Sequence, residues 1–390
     1  MSSKLIIAWE ITRRCALACK HCRGAARDCD YADEFSTDEC FKTVDALAAF
    51  SKPMIILTGG EPLMRADIFE VARYATDKGC RVVLATCGHL LTTEIAAKLK
   101  ASGVMAVSVS LDAAIAEAHN AFRGVEGAYE KTLAGLELLK QAGIPFQINT
   151  TVSKLNVGEL PELLAQAIKL GAATIDFFFL VPTGRGSEIA GLALDPAARD
   201  RALEWIAGQA QTAPIRVKTT CAPQYKRFLN EECQRSEGLK AKVDTDSVSC
   251  NSSASGRSAE GGKLETSSTR NSPTPNSSCL RQIRRGGKLS QLETRHASGR
   301  SAGAENSPTR NPPFRGCMGG RGFVFISHTG ILQTCGFLDL PCGDLRGADF
   351  DFETLYKNSR VFKNMRTLNP FAGCPARAYA RTGDYMGAES

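Results

Sequence analysis

Three cysteines near the start of the chain have a spacing that suits metal chemistry. Cys15, Cys19 and Cys22 form a C-x3-C-x2-C pattern within the stretch RRCALACKHCRGAA. A structural zinc site usually has four ligands, often from two C-x2-C pairs, and no second pair lies nearby. His21 is the nearest candidate for a fourth ligand, but it is adjacent to Cys22, and neighbouring side chains seldom face one ion.

An iron–sulfur cluster fits these three cysteines better than zinc does. Thiolates bind [4Fe–4S] clusters, and three cysteines leave one iron open to a small molecule. Such a cluster is negatively charged, and the basic residues that flank the cysteines are Arg13, Arg14, Lys20 and Arg23. We therefore predict that Cys15, Cys19 and Cys22 bind a [4Fe–4S] cluster with one open iron.

The composition is that of a globular protein from a reducing compartment. The chain has 390 residues and 15 cysteines. Its first residues lack the apolar run of a signal peptide, and no apolar run reaches the roughly 18 residues of a membrane span. We therefore predict a cytoplasmic protein with no membrane partner. We then expect the cysteines to include metal or redox ligands rather than to form a disulfide framework.

Residues 236–316 differ in composition from the rest of the chain. They contain 16 serines, and 13 basic against 7 acidic residues, which accounts for +6 of the net charge of +7. A segment of this kind cannot bury enough apolar surface to fold, so we predict a disordered insert. A basic arm that binds nucleic acid is the alternative. Because the rest of the chain carries a net charge of only +1, we predict no nucleic-acid partner.

The first half of the chain alternates apolar runs with helical patterns. The six apolar runs lie at residues 4–12, 53–58, 80–86, 104–111, 144–152 and 173–181. Continuous apolar runs suit parallel strands that are buried on both faces. Ser36 and Glu39 have the spacing of a capping box at the start of a helix over 37–50. These βα units predict an α/β fold with a partial (β/α)6 barrel, and the cysteine loop follows its first strand, at the end where such barrels carry their chemistry.

A second motif suggests a known superfamily. GGEP at residues 59–62 follows the second predicted strand, and together with the cysteine loop it resembles radical S-adenosylmethionine (SAM) enzymes. The resemblance implies that the open iron binds the amine and carboxylate of SAM. An electron then cleaves SAM to a 5′-deoxyadenosyl radical, which abstracts hydrogen from a substrate. It also implies a low-potential electron donor such as ferredoxin or flavodoxin as a partner.

The same resemblance assigns SAM contacts to positions in this chain. In the GGEP turn, the backbone and carboxylate would hold the SAM ammonium, and His21 would lie beside the adenine. Ser110, after the fourth strand, and Asn149, in the fifth, stand where the superfamily contacts the cofactor. The implied SAM-binding residues are His21, Gly59, Gly60, Glu61, Ser110 and Asn149.

Cysteines recur in the C-terminal part of the chain. Cys317, Gly330 and Cys335 follow a C-x12-G-x4-C pattern, which resembles the opening of a SPASM domain, an extension that holds auxiliary [4Fe–4S] clusters. The resemblance implies one auxiliary cluster on Cys317, Cys335, Cys342 and Cys374. The C-x2-C-x5-C run of a full SPASM domain is missing, so we expect no second auxiliary cluster. The chain thus divides into a barrel at 1–235, the insert at 236–316 and a small SPASM-like domain at 317–390.

Five stretches together resemble the tetrapyrrole-modifying branch of this superfamily, and within it the heme b synthase family. They are AWEITRRC, IILTGGEPLMR, FFFLVPTGRG, TTCAPQYKR and GFVFISHTG. The implied reaction is oxidative decarboxylation of two propionates of iron-coproporphyrin III to vinyls. The candidate arginines for this anionic tetrapyrrole are Arg185, Arg321, Arg377 and Arg381. Cys221 lies in one of the motifs, and its role as a cluster ligand, substrate contact or packing residue stays open.

Other functions fit the same motifs. A related tetrapyrrole enzyme would form heme d1 precursors or iron-coproporphyrin, and a SPASM peptide-maturing enzyme would modify a precursor peptide. A non-catalytic copy that binds clusters or heme is the alternative outside enzymology, since some SPASM cysteines are missing. The intact cysteine loop and GGEP turn favour retained SAM chemistry.

Overall fold

The computed structural model describes residues 5–231, 316–371 and 373–386. The predicted insert at 236–316 therefore lies outside the described residues, apart from Gly316. Within the described part, no helix is both long and apolar enough to cross a membrane.

A single mixed sheet organises the described residues. Its strands are β1 (Ile6–Thr12), β2 (Met54–Gly59), β3 (Arg81–Thr86), β4 (Ala106–Ser110), β5 (Phe146–Val152), β6 (Thr174–Phe179), β7 (Arg216–Thr220), β8 (Phe323–Ile326), β9 (Ile331–Gln333) and β10 (Gly343–Asp344). They stand in the order β10-β9-β8-β1-β2-β3-β4-β5-β6-β7. β8 and β1 to β7 run parallel to one another, and β9 and β10 add an antiparallel edge beside β8.

Helices follow most of the parallel strands. They are α1 (Thr37–Phe50), α2 (Ile68–Asp77), α3 (Thr93–Ala101), α4 (Ala116–Arg123), α5 (Ala128–Gln141), α6 (Leu160–Leu170), α7 (Pro196–Thr212), α8 (Phe352–Asn358), α9 (Arg360–Thr367) and α10 (Pro375–Thr382). The predicted capping box is present, because the Ser36 side chain accepts from the Glu39 amide and the Glu39 carboxylate accepts from the Ser36 amide. The α/β fold class and the parallel sheet of the sequence prediction are confirmed.

Two parallel strands lie beyond the six that the apolar runs predicted. β7 reads RVKTT and alternates buried with partly exposed positions, so it lacks the apolar run of a strand buried on both faces. β8 lies beside β1, with Ile6 opposite Phe323 and Trp9 opposite Ile326. The C-terminal segment therefore extends the same sheet rather than standing apart from it.

One arginine ties the C-terminal segment to the first βα unit. Arg346 forms an ion pair with Glu39 of α1, and it donates hydrogen bonds to the backbone oxygens of Asp33 (2.8 Å) and Glu34 (3.2 Å). This arrangement fixes the loop between β1 and α1 on the edge of the sheet where the chemistry of the fold resides.

Candidate functional site

The three cysteines after β1 surround a cavity at the carboxyl ends of the parallel strands. Cys15, Cys19 and Cys22 all line this cavity of about 250 Å³. Each sulfur accepts one hydrogen bond. The Leu17 amide donates to Cys15 (3.4 Å) and the Arg123 guanidinium donates to Cys19 (3.6 Å). The Ala26 amide donates to Cys22 (3.4 Å). Donors of this kind stabilise negative charge on sulfur, so the loop is built for thiolates.

Without a bound cation, burial outweighs these hydrogen bonds and disfavours the thiolate form of Cys15 and Cys19. The Cys15 and Cys19 side chains are largely enclosed, and burial raises the pKa of Cys15 to about 12 and also raises that of Cys19. In the metal-free chain these groups are thus neutral thiols, and binding of iron displaces their protons. The described residues contain no group of three His, Cys, Asp or Glu side chains gathered for one metal ion. A cubane does not require that, because each cysteine binds a different iron. The three hydrogen-bonded sulfurs that line one cavity have the chemistry that a [4Fe–4S] cluster needs.

Arg185 binds the cysteine loop rather than open solvent. Its guanidinium donates to the backbone oxygens of Cys19 (2.9 Å) and Ala26 (2.8 Å), and its amide donates to the oxygen of Cys22 (3.0 Å). The sequence analysis had placed this arginine among the candidates for substrate carboxylates. In the structure three of its donors hold the backbone of the loop, while its Nη2 is enclosed without a hydrogen-bond partner and the residue lines the cavity. A contact with a substrate carboxylate therefore stays a prediction.

Two other candidate arginines are also engaged with backbone. Arg321 donates to the carbonyls of Arg366 and Leu368, and Arg377 donates to the carbonyl of Cys221 at 2.9 Å. These contacts stabilise the C-terminal segment, so the sequence-based selection of substrate arginines receives no support from their positions.

The GGEP turn packs directly against the cysteine loop. The Gly60 amide donates to the Thr12 oxygen (2.8 Å), and the Glu61 amide donates to the Arg14 oxygen (2.7 Å). A Cβ on Gly59 would lie 2.1 Å from the Thr12 oxygen, and one on Gly60 would lie 2.3 Å from the Arg14 oxygen. Both glycines are therefore required by the close approach of two backbones, and both line the cavity.

The Glu61 side chain lies behind this turn. It is 1% exposed, and its carboxylate accepts hydrogen bonds from the Thr86 hydroxyl (2.8 Å), the Cys87 amide (2.8 Å) and the Leu63 amide (3.1 Å). Burial raises the pKa of Glu61 even though these donors favour its charged form. In this structure the carboxylate joins the ends of β2 and β3 and is not a cavity-lining group.

The remaining predicted SAM contacts meet in the cavity. His21, Ser110 and Asn149 line it together with the cysteines. The His21 ring stacks on Phe122, with centroids 4.3 Å apart. Burial lowers the pKa of His21 to about 4, so the ring is neutral near pH 7. Its Nδ1 is enclosed without a hydrogen-bond partner, which marks a polar atom that a bound group could satisfy.

A buried ion pair supports Cys19, and sequence reasoning missed it. The Arg123 guanidinium, which donates to Cys19, lies 2.5 Å from the Asp112 carboxylate. Asp112 in turn accepts a hydrogen bond from the Thr151 amide at 2.7 Å. Arg123 is the last residue of α4, where a basic residue is ordinary, so nothing local marks it. The ion pair with Asp112 thus keeps the positively charged Arg123 guanidinium next to the sulfur of Cys19.

Four other cysteines gather in the C-terminal part of the structure. Cys221, Cys317, Cys335 and Cys374 pack in one buried cluster. The thiols of Cys221 and Cys374 share a hydrogen bond, which together with burial raises the pKa of Cys221 well above its usual value. Burial and the neighbouring Cys374 raise the pKa of Cys317 to about 11 and that of Cys335 to about 12.

The membership of this four-cysteine group differs from the predicted auxiliary set. Cys342 packs in the main core, and its thiol donates to the Leu340 oxygen at 3.5 Å. Cys221 takes the place that the sequence analysis gave to Cys342. It follows β7 with a φ of 62°, a left-handed backbone that is uncommon outside glycine and that often marks functional positions. Its lone position in the sequence gave no spacing signal.

Comparison with known proteins finds relatives that match along the part of the chain that forms this site. The model of the Radical SAM superfamily matches residues 9–167. An AdoMet-dependent heme synthase from Methanosarcina barkeri is 39% identical over 98% of this chain and 94% of its own length. One from Nitratidesulfovibrio vulgaris is 34% identical over 98% of this chain and 90% of its own length.

Solved structures share the fold at low sequence identity. Streptococcus suis SuiB bound to S-adenosylmethionine has a TM-score of 0.64 at 12% identity, covering 100% of this chain and 77% of that chain. The superfamily match covers the cysteine loop and the GGEP turn, and the relatives match along nearly the whole sequence. This chain is accordingly a radical SAM enzyme, and it belongs to the family of the AdoMet-dependent heme synthases within the radical SAM superfamily.

Proposed function

We propose that this enzyme forms heme b by oxidative decarboxylation of iron-coproporphyrin III. Two propionates, –CH2–CH2–COO⁻, each lose one hydrogen atom, CO2 and one electron and become vinyls, –CH=CH2. The observation that carries the proposal is the cavity at the strand ends, which is lined by the three cysteines of the loop after β1. The sulfur of each of these cysteines accepts a hydrogen bond. Relatives that match along nearly the whole chain carry the name AdoMet-dependent heme synthase.

The residues of the cavity suit a bound cluster and SAM. Cys15, Cys19 and Cys22 would hold the [4Fe–4S] cluster, which supplies the electron that cleaves SAM to the hydrogen-abstracting radical. His21 offers a neutral ring and an unpaired Nδ1. Ser110 and Asn149 add polar groups at the ends of β4 and β5.

Glu61 has a different role in this proposal from the one that the superfamily resemblance implied. Its carboxylate is 1% exposed and bonded to Thr86, Cys87 and Leu63. We assign it to hold the turn that carries Gly59 and Gly60. The backbone of these glycines is then the part of the GGEP turn that meets SAM.

A second [4Fe–4S] cluster on Cys221, Cys317, Cys335 and Cys374 would accept the electron that each decarboxylation releases. Four cysteines are the usual ligand set of such a cluster. Burial of these thiols resembles that of the first site. A low-potential donor such as ferredoxin or flavodoxin would reduce the first cluster.

The extent of the matches favours heme synthesis over its neighbours. The Fe-coproporphyrin III synthase of Methanosarcina barkeri is 41% identical over 48% of this chain, and the pre-heme d1 synthase of Dinoroseobacter shibae is 35% identical over 53%. The mycofactocin maturase MftC of Mycolicibacterium smegmatis, 36% identical, matches 48% of the chain. The heme synthases match 98% of it.

One anaerobic experiment tests the function and both clusters. Protein reconstituted with iron and sulfide is incubated with SAM, dithionite and iron-coproporphyrin III, and products are identified by mass. Heme b should form, and Cys19→Ala should abolish 5′-deoxyadenosine. Cys221→Ala should lose roughly four irons and most heme, while it still forms 5′-deoxyadenosine. Cys342→Ala is the matched control and should keep its iron.

The outcomes separate the parts of the proposal. Formation of 5′-deoxyadenosine by Cys19→Ala would exclude the first site. Equal iron in the Cys221→Ala and Cys342→Ala proteins would exclude the proposed auxiliary ligands. A wild-type protein that forms 5′-deoxyadenosine but leaves iron-coproporphyrin III unchanged would exclude this compound as the substrate.

A further inference from the structure

A second cavity, of about 420 Å³, lies beside the first. Arg23 and Phe337 line both, so the two share a wall. Its other walls come from the end of β1, the turn between β8 and β9, and the loop after β6. The polar side chains that line it include Arg13, His328, Gln333 and Asp339, and Gln333 donates a hydrogen bond to the Asp339 carboxylate. Neither the cysteine chemistry nor the SAM contacts use this space.

A buried carboxylate organises the basic groups of the second cavity. Glu10, on β1, is 1% exposed. Its oxygens accept from Arg13 (3.1 Å) and Arg23 (2.8 Å), and one lies 3.2 Å from Nδ1 of His328. Burial raises the pKa of Glu10, but Arg23, His328 and Arg13 outweigh this and lower it to about 2. The carboxylate is therefore ionised and only accepts hydrogen bonds.

This contact fixes the tautomer of His328. Because the Glu10 oxygen has no proton to give, Nδ1 of His328 is the donor, and in the neutral imidazole the lone pair then lies on Nε2. Nε2 makes no hydrogen bond to any residue that the structure describes. Unlike Nδ1 of His21, it is not enclosed by protein atoms. With the neutral ring, Nε2 of His328 is thus an acceptor without a protein partner, in a cavity-lining residue that is only 8% exposed.

We propose that His328 binds the iron of the metallotetrapyrrole substrate through Nε2. A histidine whose other nitrogen donates to a carboxylate is the usual form of a metal-binding imidazole, since the carboxylate orients the ring and raises its basicity. Coordination uses the lone pair alone, so no proton or electron is transferred. This inference rests on the proposed function, because the iron comes from the substrate.

The surroundings of His328 suit the rest of such a ligand. Arg13 and Arg23 are 30% and 20% exposed at their side chains, and their guanidiniums lie on the same cavity. They offer charged donors to propionates near the iron. Since Arg23 and Phe337 line both cavities, a tetrapyrrole held by His328 would lie next to the cavity of the first cysteine site.

Absorption and electron paramagnetic resonance spectroscopy of the bound iron test this inference. Full-length, cluster-loaded protein with oxidised clusters is titrated with ferric iron-coproporphyrin III. Wild type should show the spectrum of an imidazole-ligated iron. His328→Ala should lose this spectrum and bind the iron form roughly tenfold or more weakly, and added imidazole should restore the spectrum. Metal-free coproporphyrin III should bind equally to both proteins.

Two controls keep the test informative. His89→Ala removes a histidine that donates to the Ala128 oxygen and lines neither cavity, and it should leave the iron spectrum unchanged. His328→Gln keeps much of the side-chain volume and should lose the spectrum as His328→Ala does. Iron–sulfur absorbance and 5′-deoxyadenosine formation report whether the variants are folded.

The possible results distinguish this inference from the proposed function. A wild type that forms heme, with the same iron spectrum in His328→Ala, would overturn the role of His328 alone. A wild type that neither binds nor converts iron-coproporphyrin III would overturn both. Loss of the iron spectrum and its return with imidazole would support iron coordination by His328.

Discussion

The buried pair of Asp112 and Arg123 permits a quantitative test of how the first cysteine site is supported. Their side chains are 1% and 8% exposed, and Nη2 lies 2.5 Å from Oδ2. Arg123→Met keeps most of the side-chain volume, but it leaves the Asp112 carboxylate buried without its cation. Removing one partner of a buried pair costs about 3–5 kcal/mol. We expect a loss of this size in the free energy of unfolding.

A double variant separates the energy of the lost ion pair from the cost of leaving the Asp112 carboxylate buried without a partner. Asp112→Asn combined with Arg123→Met removes both charges, and the Asn side chain retains an oxygen for the Thr151 amide. The double variant should therefore be more stable than Arg123→Met alone, with a coupling energy of roughly 2 kcal/mol.

An exposed ion pair provides the matched control. Arg227 and Asp200 are 2.8 Å apart, with side chains 57% and 39% exposed. Arg227→Met should cost less than about 1 kcal/mol, because water screens the pair. All variants are unfolded in urea before iron is added, so that loss of clusters does not complicate the transition, and circular dichroism follows helix content. If Arg123→Met lowers the free energy of unfolding no more than Arg227→Met does, the buried pair of Asp112 and Arg123 does not stabilise the first cysteine site.

Two further predictions concern single residues of the same region. Gly60→Ala would bring a Cβ to 2.3 Å from the Arg14 oxygen, so it should lower the melting temperature and the amount of iron bound on reconstitution. Gly208 lies in α7 with open space around it, so Gly208→Ala should stabilise the folded protein by about 0.5–1 kcal/mol. Equal melting temperatures of the two variants would contradict this prediction. Glu10 has a pKa lowered from 4.5 to about 2, so its ionisation stabilises the fold above pH 4.5, and that stabilisation, about 3 kcal/mol, is lost as the pH falls toward 2. Denaturant titrations of Glu10→Gln across this range should show a smaller decline than wild type, and parallel curves would refute the assignment.

Local sequence patterns predicted the elements that depend on local physics. The six apolar runs and the capping box of Ser36 and Glu39 were correct because periodicity and side-chain chemistry act over a few residues. The cysteine loop was recognisable because all its ligands lie within eight residues. β8 was missed, since nothing in FVFI indicates that it pairs with a strand at the other end of the chain.

The second group of cysteines shows where sequence reasoning ends. The SPASM resemblance implied Cys342 as a member, but Cys342 packs in the main core. Cys221 joins Cys374 because β7 and the C-terminal segment meet in the folded protein. Arg185 was likewise assigned to substrate, and its hydrogen bonds to loop carbonyls are visible only in three dimensions.

The pairing of β1 with β8 sets an order in which the chain acquires its structure. During synthesis β1 can pair with β2 once residue 59 has been made, but its other edge stays open until β8, which begins at residue 323, has been made. That edge reads IIAW at residues 6–9, and unpaired apolar edges invite association with other chains. Glu10 also lacks its contact with His328 until then. The surroundings of the cysteine loop are thus complete only after residue 328 has been made, so a chain shorter than this lacks both the β8 edge and the partner of Glu10.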